Sequence, residues 1–296
     1  LDTLEILTQA LPLIPRWQEV FRFMQPSRAF IALLLSSLLL LSLAGCSTMV
    51  TENHAEVAES GQFMKRTVMV YGEPRTYQVF VPKHRSSSSS RHPVILFLHG
   101  SGERGSDGES QTNAGLGPYV RAHADDFPAI VVFPQVPENG EWMGNNVDMA
   151  LAAMDAASKE FNGDPTRTYL TGLSMGGYGT WEVALKAPGR FAALVPICGA
   201  VKAPSDERAL FVTGVANAAD PYAALAKKLR HVPVWIFHGA LDDVVPTTDD
   251  RKTFAAFKSL GADVQYTEFP DANHNSWDAT YNHAPMWDWL FAQKRN

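Results

Sequence analysis

Two cysteines in 296 residues are too few for a disulfide scaffold or a cysteine-based zinc module. The nine histidines form no His-Glu-x-x-His or comparable ligand spacing, so a metal site is not expected. The excess of one sign of charge is also small. Against 31 Asp+Glu stand 25 Lys+Arg, and a net charge of −6 provides no electrostatic reason to expect nucleic acid as a partner. No repeat with a period of about 20 to 50 residues is present, which excludes a solenoid or propeller. With 46% hydrophobic and 19% charged residues, long disorder, collagen and coiled coil are poor fits as well. What remains is a globular chain long enough for one large or two modest domains.

One apolar run must be set aside before the fold is read. From Ala29 to Gly45 no residue is charged, and Leu33 to Leu35 and Leu38 to Leu41 dominate. Arg16, Arg22 and Arg28 precede it. Such a run is long enough to cross a thin bilayer as an anchor helix. Its exit, Leu43-Ala44-Gly45-Cys46, instead resembles the lipobox of bacterial lipoproteins, in which the cysteine is lipidated and becomes the new N-terminus. A basic n-region, an apolar h-region and small exit residues fit an export signal in either case. The expectation is a lipoprotein-type signal over residues 1–45, with Met24 as an ordinary start and 1–23 as sequence upstream of it. A polar tether over 46–62 follows, able to reach about 50 Å when extended. The protein is then exported and held on the periplasmic or cell-surface side of a bacterial membrane through Cys46. With Cys46 lipidated, Cys198 is left in the apolar run Val195-Pro196-Ile197-Cys198, where a buried inert thiol is expected.

Residues 63–296 read as the folded domain. Met64 to Tyr71 and Thr76 to Val81 alternate and are rich in β-branched and aromatic residues, with Gly72-Glu73-Pro74 between them as a hairpin signal. Val94 to Leu98 and Ala129 to Phe133 are short continuous apolar runs, as strands buried on both faces require. Residues 84–92, with their serine run, and 100–117 are too polar for core. Helical spacing of Val147, Ala150, Leu151, Met154 and Phe161 predicts a helix from Asn146 to Phe161. Strands follow at Thr168 to Thr171, Ala192 to Ile197, Val232 to Phe237 and Ala262 to Phe269. Helices are expected over Met175 to Ala187, Pro221 to Arg230, Thr247 to Leu260 and Pro285 to Gln293. The alternation of apolar strand and helix means an α/β fold with a mostly parallel central sheet, helices on both faces and an N-terminal antiparallel edge hairpin.

In such sheets, sites form at the carboxyl ends of strands. Three of those ends carry suggestive residues. Gly172-Leu173-Ser174-Met175-Gly176 lies between a strand and a helix. By composition alone this five-residue pattern arises in about one chain in ten of this length, so the strand-turn-helix context carries the signal. A glycine-rich turn without chemistry, or a phosphate cradle at a helix start, are the plainer readings, and the absence of a following Lys weakens the second. His238-Gly239-Ala240-Leu241-Asp242-Asp243 follows the Val232 to Phe237 strand. Asn273-His274-Asn275-Ser276-Trp277 follows the strand ending at Phe269. The order Ser, Asp, His is that of an α/β-hydrolase.

These stretches, with Leu96-Phe97-Leu98-His99-Gly100-Ser101-Gly102-Glu103-Arg104-Gly105 and Pro196-Ile197-Cys198-Gly199, resemble the α/β-hydrolase superfamily. More narrowly they resemble secreted carboxylesterases of the "predicted peptidase" branch, near the phospholipase/carboxylesterase and dienelactone-hydrolase groups. The resemblance spans nearly all of Met64 to Asn296 and implies hydrolysis of esters, usually short-acyl, without a cofactor.

Acyl-transfer chemistry then assigns roles. Ser174 is the nucleophile, His274 the base, and Asp242 the acid that holds the imidazole tautomer. Asp243 rivals Asp242, and the family pattern selects Asp242; His283 rivals His274. Met175 N–H is one oxyanion donor, and the resemblance places the other at Ser101, with Gly102 as its neighbour. Trp142 and Trp277 are candidates to line the acyl or alcohol pocket, although a tryptophan is more often core. His99 and His238, each ending a strand before Gly, read as structural. Glu103, Arg104 and Asp107 read as a solvated or loop-bracing set. The substrate expected is a small or polymeric ester; a peptidase or amidase, or a feruloyl, acetylxylan or polyester hydrolase, uses the same triad. Length from Cys46 leaves no room for the large propeller of prolyl-oligopeptidase-type enzymes, which favours the esterase. A non-catalytic lipid-anchored binding protein on the same fold is the reading outside the enzyme class.

Overall fold

The computed structural model describes residues 60–83, 91–205 and 208–295. The expected signal, Cys46, nearly all of the tether and the serine run lie outside the described residues. Among the described residues no helix is long and apolar enough to cross a membrane.

The chain opens with an antiparallel hairpin of β1 (Gln62–Val70) and β2 (Glu73–Val81). Its turn is Tyr71-Gly72, with φ of 52° and 84°, as a two-residue hairpin turn of the twist-matched kind requires. The expectation that Glu73 and Pro74 belong to the turn is corrected: they pair with Val70 and Met69. Pro74 is tolerated because β4 pairs with β2 only from Tyr77 to Phe80, so no ladder donor is missed on that side.

Next come β3 (His92–Leu98), α1 (Leu116–Ala122), β4 (Ile130–Pro134), α2 (Asn145–Glu160), β5 (Gly163–Leu173) and α3 (Met175–Lys186). The chain continues through β6 (Ala193–Ile197), α4 (Pro221–Leu229), β7 (Val234–Gly239), α5 (Thr247–Ser259), β8 (Val264–Phe269), α6 (Trp277–Tyr281) and α7 (Ala284–Ala292). One sheet of eight strands runs in the order β1-β2-β4-β3-β5-β6-β7-β8. β2 meets β4 antiparallel, and every pair from β4 to β8 is parallel.

Alternation along the strands divides the core into two layers. Val94, Leu96 and Leu98 of β3 face one side with Met154 of α2, Trp181 of α3, Leu225 of α4 and Phe257 of α5. Ile95 and Phe97 face the other with Leu116 and Val120 of α1, Tyr281 of α6 and Trp287 of α7. Neither side of a central strand is left to water, which is why these runs are continuously apolar. α4 starts at Asp220, whose carboxylate accepts the N–H groups of Tyr222 and Ala223, with Pro221 in the first turn.

Several elements differ from the sequence expectation. β5 is eleven residues long and begins at Gly163, because His92 of β3 pairs with Gly163 beyond the apolar segment. β7 begins after Pro233 and includes His238 and Gly239, so the loop after it starts two residues later. α1 and α6 are short helices inside segments too polar or too brief to show a helical period.

Leu96 is fully buried and paired with Val132 on one side and Leu170 on the other. Leu96→Ala is expected to lower the unfolding free energy by about 2–5 kcal/mol in urea denaturation, with the slope unchanged.

Candidate active site

The order β4-β3-β5 means that the chain leaves β3 and β5 toward opposite parts of the sheet, and a crevice opens at their carboxyl ends. Ser174 stands there, directly after β5 and before α3. Its backbone has φ 53° and ψ −117°, a conformation that non-glycine residues rarely adopt and that costs about 1–3 kcal/mol. The turn is fixed from three directions. Ser174 N–H donates to Ile197 O at 2.9 Å, and Ser174 O accepts from Gly177 N and Tyr178 N at 2.8 and 3.2 Å. The close approach needs glycine at 176: a Cβ there would lie 1.9 Å from Leu98 O. A side chain of any kind would push α3 off β3 and move the serine with it.

The loops after β7 and β8 reach the same place. His274 Nε2 lies 2.9 Å from Ser174 Oγ, and His274 Nδ1 lies 2.7 Å from Asp242 Oδ2. An ionised carboxylate only accepts, so Nδ1 carries the proton and Nε2 is left to accept from the serine hydroxyl. Asp242 Oδ1 accepts from Val244 N and Val245 N, each at 2.9 Å. Burial opposes ionisation of Asp242, but hydrogen bonds from His238, His274 and those two amides outweigh it and hold its carboxyl well below the usual range. The choice between neighbouring acids is thereby made: Asp242 contacts the imidazole, while Asp243 is exposed. His283 instead packs edge-on against Trp235, Phe237 and Phe269.

Met175 is the first residue of α3, so its N–H has no partner within the helix and lies at the positive end of the helix dipole. Across the crevice, Leu98 is in register with Gly172, which carries residues 100 and 101 to the level of Ser174. Ser101 begins a short 3-10 turn. This loop is braced from below. His99 Nε2 accepts from Val136 N at 3.0 Å, and His99 O accepts from Trp142 Nε1 at 2.9 Å. Burial lowers the His99 pKa to about 4, so its ring is neutral there. Trp142 is only 1% exposed and stacks edge-on to His99. The expected pocket-lining role for Trp142 is therefore corrected: it is a brace beneath the loop, with no face free for a ligand. Trp277 stays at the rim, half-buried and edge-on to His274 at 5.6 Å.

Asp107 accepts from Glu109 N, Ser110 N and Gln135 Nε2, and Arg104 bridges Glu141 and Gly140 O, so that acidic and basic set braces the loop. Two features were not visible in the sequence. Arg208 donates to Ser101 Oγ at 2.6 Å and pairs with Glu141 at 3.2 Å. His238 lies behind Asp242, 3.1 Å from its Oδ2, with Asp250 on the far side of the ring at 2.8 Å. The pairings of Arg208 with Ser101 and of His238 with Asp250 have no local signal, since their partners come from separate elements.

Cys198 is buried at the end of β6 with φ 40°, and its sulfur lies within 4.8 Å of ligand atoms of Asp242 and His274. Three such groups can bracket a metal. Here, however, the imidazole and carboxylate are committed to each other, and burial pushes the thiol up against the opposing hydrogen bonds from Ser174 and Ser276. A protonated thiol is a poor ligand.

Comparison with known proteins agrees with this architecture. The family model described as "Prolyl oligopeptidase family" matches residues 138–295, which include Ser174, Asp242 and His274. The chain is 25% identical over 223 residues to the putative esterase NocK of Nocardia uniformis subsp. tsuyamanensis, covering 69% of this chain and 62% of that protein. It is 26% identical over 185 residues to the bifunctional acetylxylan esterase/xylanase XynS20E of Neocallimastix patriciarum, covering 59% of this chain and 22% of that protein. Among solved structures, a thermostable esterase superposes with a TM-score of 0.66 at 29% identity, covering 79% of this chain and 63% of that one. The chain thus spans less than two thirds of the length of each of these relatives. A mostly parallel eight-stranded sheet with a Ser-Asp-His order at its carboxyl edge is the α/β-hydrolase fold, and the family match covers more than half of the sequence. The chain belongs to the prolyl oligopeptidase family.

Proposed function

We propose that the protein is a serine carboxylesterase acting through Ser174, His274 and Asp242. The observation that carries this reading is the pair of contacts at 2.9 and 2.7 Å that joins hydroxyl, imidazole and carboxylate in one line. A serine hydroxyl is a weak nucleophile near neutral pH, and a base within hydrogen-bond reach removes that obstacle. As Ser174 Oγ attacks the ester carbonyl, its proton passes to His274 Nε2. Asp242 holds the imidazole orientation and stabilises the imidazolium. The carbonyl oxygen becomes negative and is received by the N–H groups of Met175 and Ser101, each worth about 3 kcal/mol of barrier. His274 then protonates the leaving alcohol. Water enters and gives a proton to His274 as it attacks the acyl-enzyme; His274 returns that proton to Ser174 Oγ as the acid leaves.

The names of the relatives support an ester substrate, and the acetylxylan esterase among them supports a short acyl group, carried by a small alcohol or by a polymer. Family membership favours a second reading, hydrolysis of amides with the same groups. The chemistry differs only in the leaving atom, an amine in place of an alcohol, that His274 protonates. A panel of p-nitrophenyl esters from acetate to palmitate, with feruloyl, acetylated-xylan, polyester and peptide substrates, separates these readings. The esterase reading expects the highest kcat/KM on a short ester. Ser174→Ala is expected to lower hydrolysis of p-nitrophenyl acetate by about 10⁴ to 10⁶-fold, whereas a rate near wild type would refute the triad.

We also propose that the protein is exported and lipid-anchored at Cys46, with residues 1–45 as signal, 46–62 as tether and 63–296 as the catalytic domain. The support is the apolar run and the Leu43-Ala44-Gly45-Cys46 exit. Ser47 after that cysteine resembles sorting to the outer membrane. Expressed in a bacterium that processes lipoproteins, the chain is expected to partition with detergent in a Triton X-114 extraction, and Cys46→Ser to abolish this. Aqueous partition of both would contradict the anchor.

A further inference from the structure

Asp242 is engaged by two histidines through a single oxygen. Its side chain is fully buried, and Oδ2 receives His274 Nδ1 at 2.7 Å while facing His238 Nε2 at 3.1 Å. His238, at the end of β7, is itself fully buried. Its Nε2 also lies 3.0 Å from Val245 O. Both neighbours of Nε2 only accept, so Nε2 carries a hydrogen in every protonation state compatible with this geometry. The other nitrogen, Nδ1, lies 2.8 Å from Oδ2 of Asp250, a fully buried residue of α5. The chain of contacts therefore runs from Ser174 through His274, Asp242 and His238 to Asp250, from the crevice to the interior.

Such an arrangement is costly for stability alone. Asp250 Oδ1 is buried with no hydrogen-bond partner, and a buried ion pair is often no better than apolar residues of the same volume. Burial lowers the affinity of His238 for a proton, but Asp242 and Asp250 overcome this and push its pKa up to about 10. Burial raises Asp250 to about 6 against the pull of His238. Both ring nitrogens face acceptors, Asp242 and Val245 O on one side and Asp250 on the other, which is the setting of an imidazolium between two carboxylates.

Other groups face the pair. Glu268 of β8 is in register with His238 and is held by Arg251 at 2.5 Å and by the Tyr266 hydroxyl at 2.6 Å. Asp249 of α5 accepts from Val201 N and the Tyr222 hydroxyl. Tyr178 of α3 presents a buried phenol, and Cys198 of β6 a buried thiol. Burial pushes both upward, so neither adds charge near neutral pH.

We infer that His238 and Asp250 are a positioning pair for the acid of the triad. His238 Nε2–H fixes Asp242 Oδ2 against His274, and the charge on His238, maintained by Asp250, limits how far Asp242 strengthens His274 as a base. The inference rests on the triad reading above. Without the pair, Asp242 Oδ2 keeps only His274 as a donor, and the carboxylate is held by that contact and the two amides on Oδ1 alone. Without the charge, His274 meets a less neutralised carboxylate, and the acid limb of the pH–rate profile moves upward.

The test measures kcat and KM for p-nitrophenyl acetate against pH, with the full chain carrying His238→Leu, His238→Gln, Asp250→Asn or Ser174→Ala, after circular dichroism has established folding. His238→Leu is expected to lower kcat by about 10 to 100-fold with KM within about threefold, the scale of losing a group that orients a reacting one. In His238→Gln the amide nitrogen stands where Nε2 stood, and most of that loss is expected to be recovered. In Asp250→Asn the ring becomes neutral, and the acid limb of kcat/KM is expected to move upward by about half a unit to one unit. Full activity in His238→Leu, or an unmoved acid limb in folded Asp250→Asn, would overturn the inference. Should His238→Leu not fold, the acid limbs of His238→Gln and Asp250→Asn decide alone, since loss of the imidazolium moves both upward. A Ser174→Ala protein with the wild-type rate would overturn the triad reading instead, so the two failures are distinguishable.

Discussion

The hydrogen bond between Ser174 Oγ and His274 Nε2 joins residues 100 positions apart, and the rest of the structure is arranged so that it forms. Its first requirement is the strained backbone at Ser174. The strain is held because β5 is central in the sheet, α3 presses on β3 through glycine at 176, and Ile197 O accepts the serine N–H. A second requirement is that β5, β7 and β8 run parallel, so that the loops after them open at one edge. Parallel pairing here is a functional constraint as much as a packing solution.

Electrostatics follows from the same placement. Asp242 is buried but accepts four hydrogen bonds, two from amides of its own loop and two from histidines. A buried carboxylate so surrounded stays ionised, and one missing a donor would tend to protonate or turn. The crevice loop after β3 is stiffened in a different way, through neutral His99 and the indole of Trp142. Both devices put rigid groups where the proposed mechanism receives or moves charge, which keeps reorganisation small.

Much of this was legible in the sequence, and the illegible parts have physical causes. The central strands announced themselves as short apolar runs because both faces are covered, and Ser174 and Asp242 because each follows such a run; His274 follows the mixed edge strand β8. The start of β5 was hidden because Gly163-Asp164-Pro165 reads as a turn, and only its pairing partner His92 makes it a strand. The hairpin turn was displaced because Pro74 suggested a turn, whereas free space beside β2 lets it remain in the strand. Trp142 was misread because an indole near a site resembles a ligand surface; its depth depends on Gly179, whose missing Cβ makes room for the ring. The pairings of His238 with Asp250 and of Arg208 with Ser101 depend on tertiary proximity, for which sequence spacing carries no signal.

The central claim is that Ser174 is activated by His274, and covalent labelling tests it most directly. Incubated with a fluorophosphonate and digested, the full chain should yield one adduct at Ser174 by peptide mass spectrometry, and His274→Ala should lose it at equal exposure. An unlabelled Ser174, or labelling that persists undiminished without the imidazole, would contradict the account.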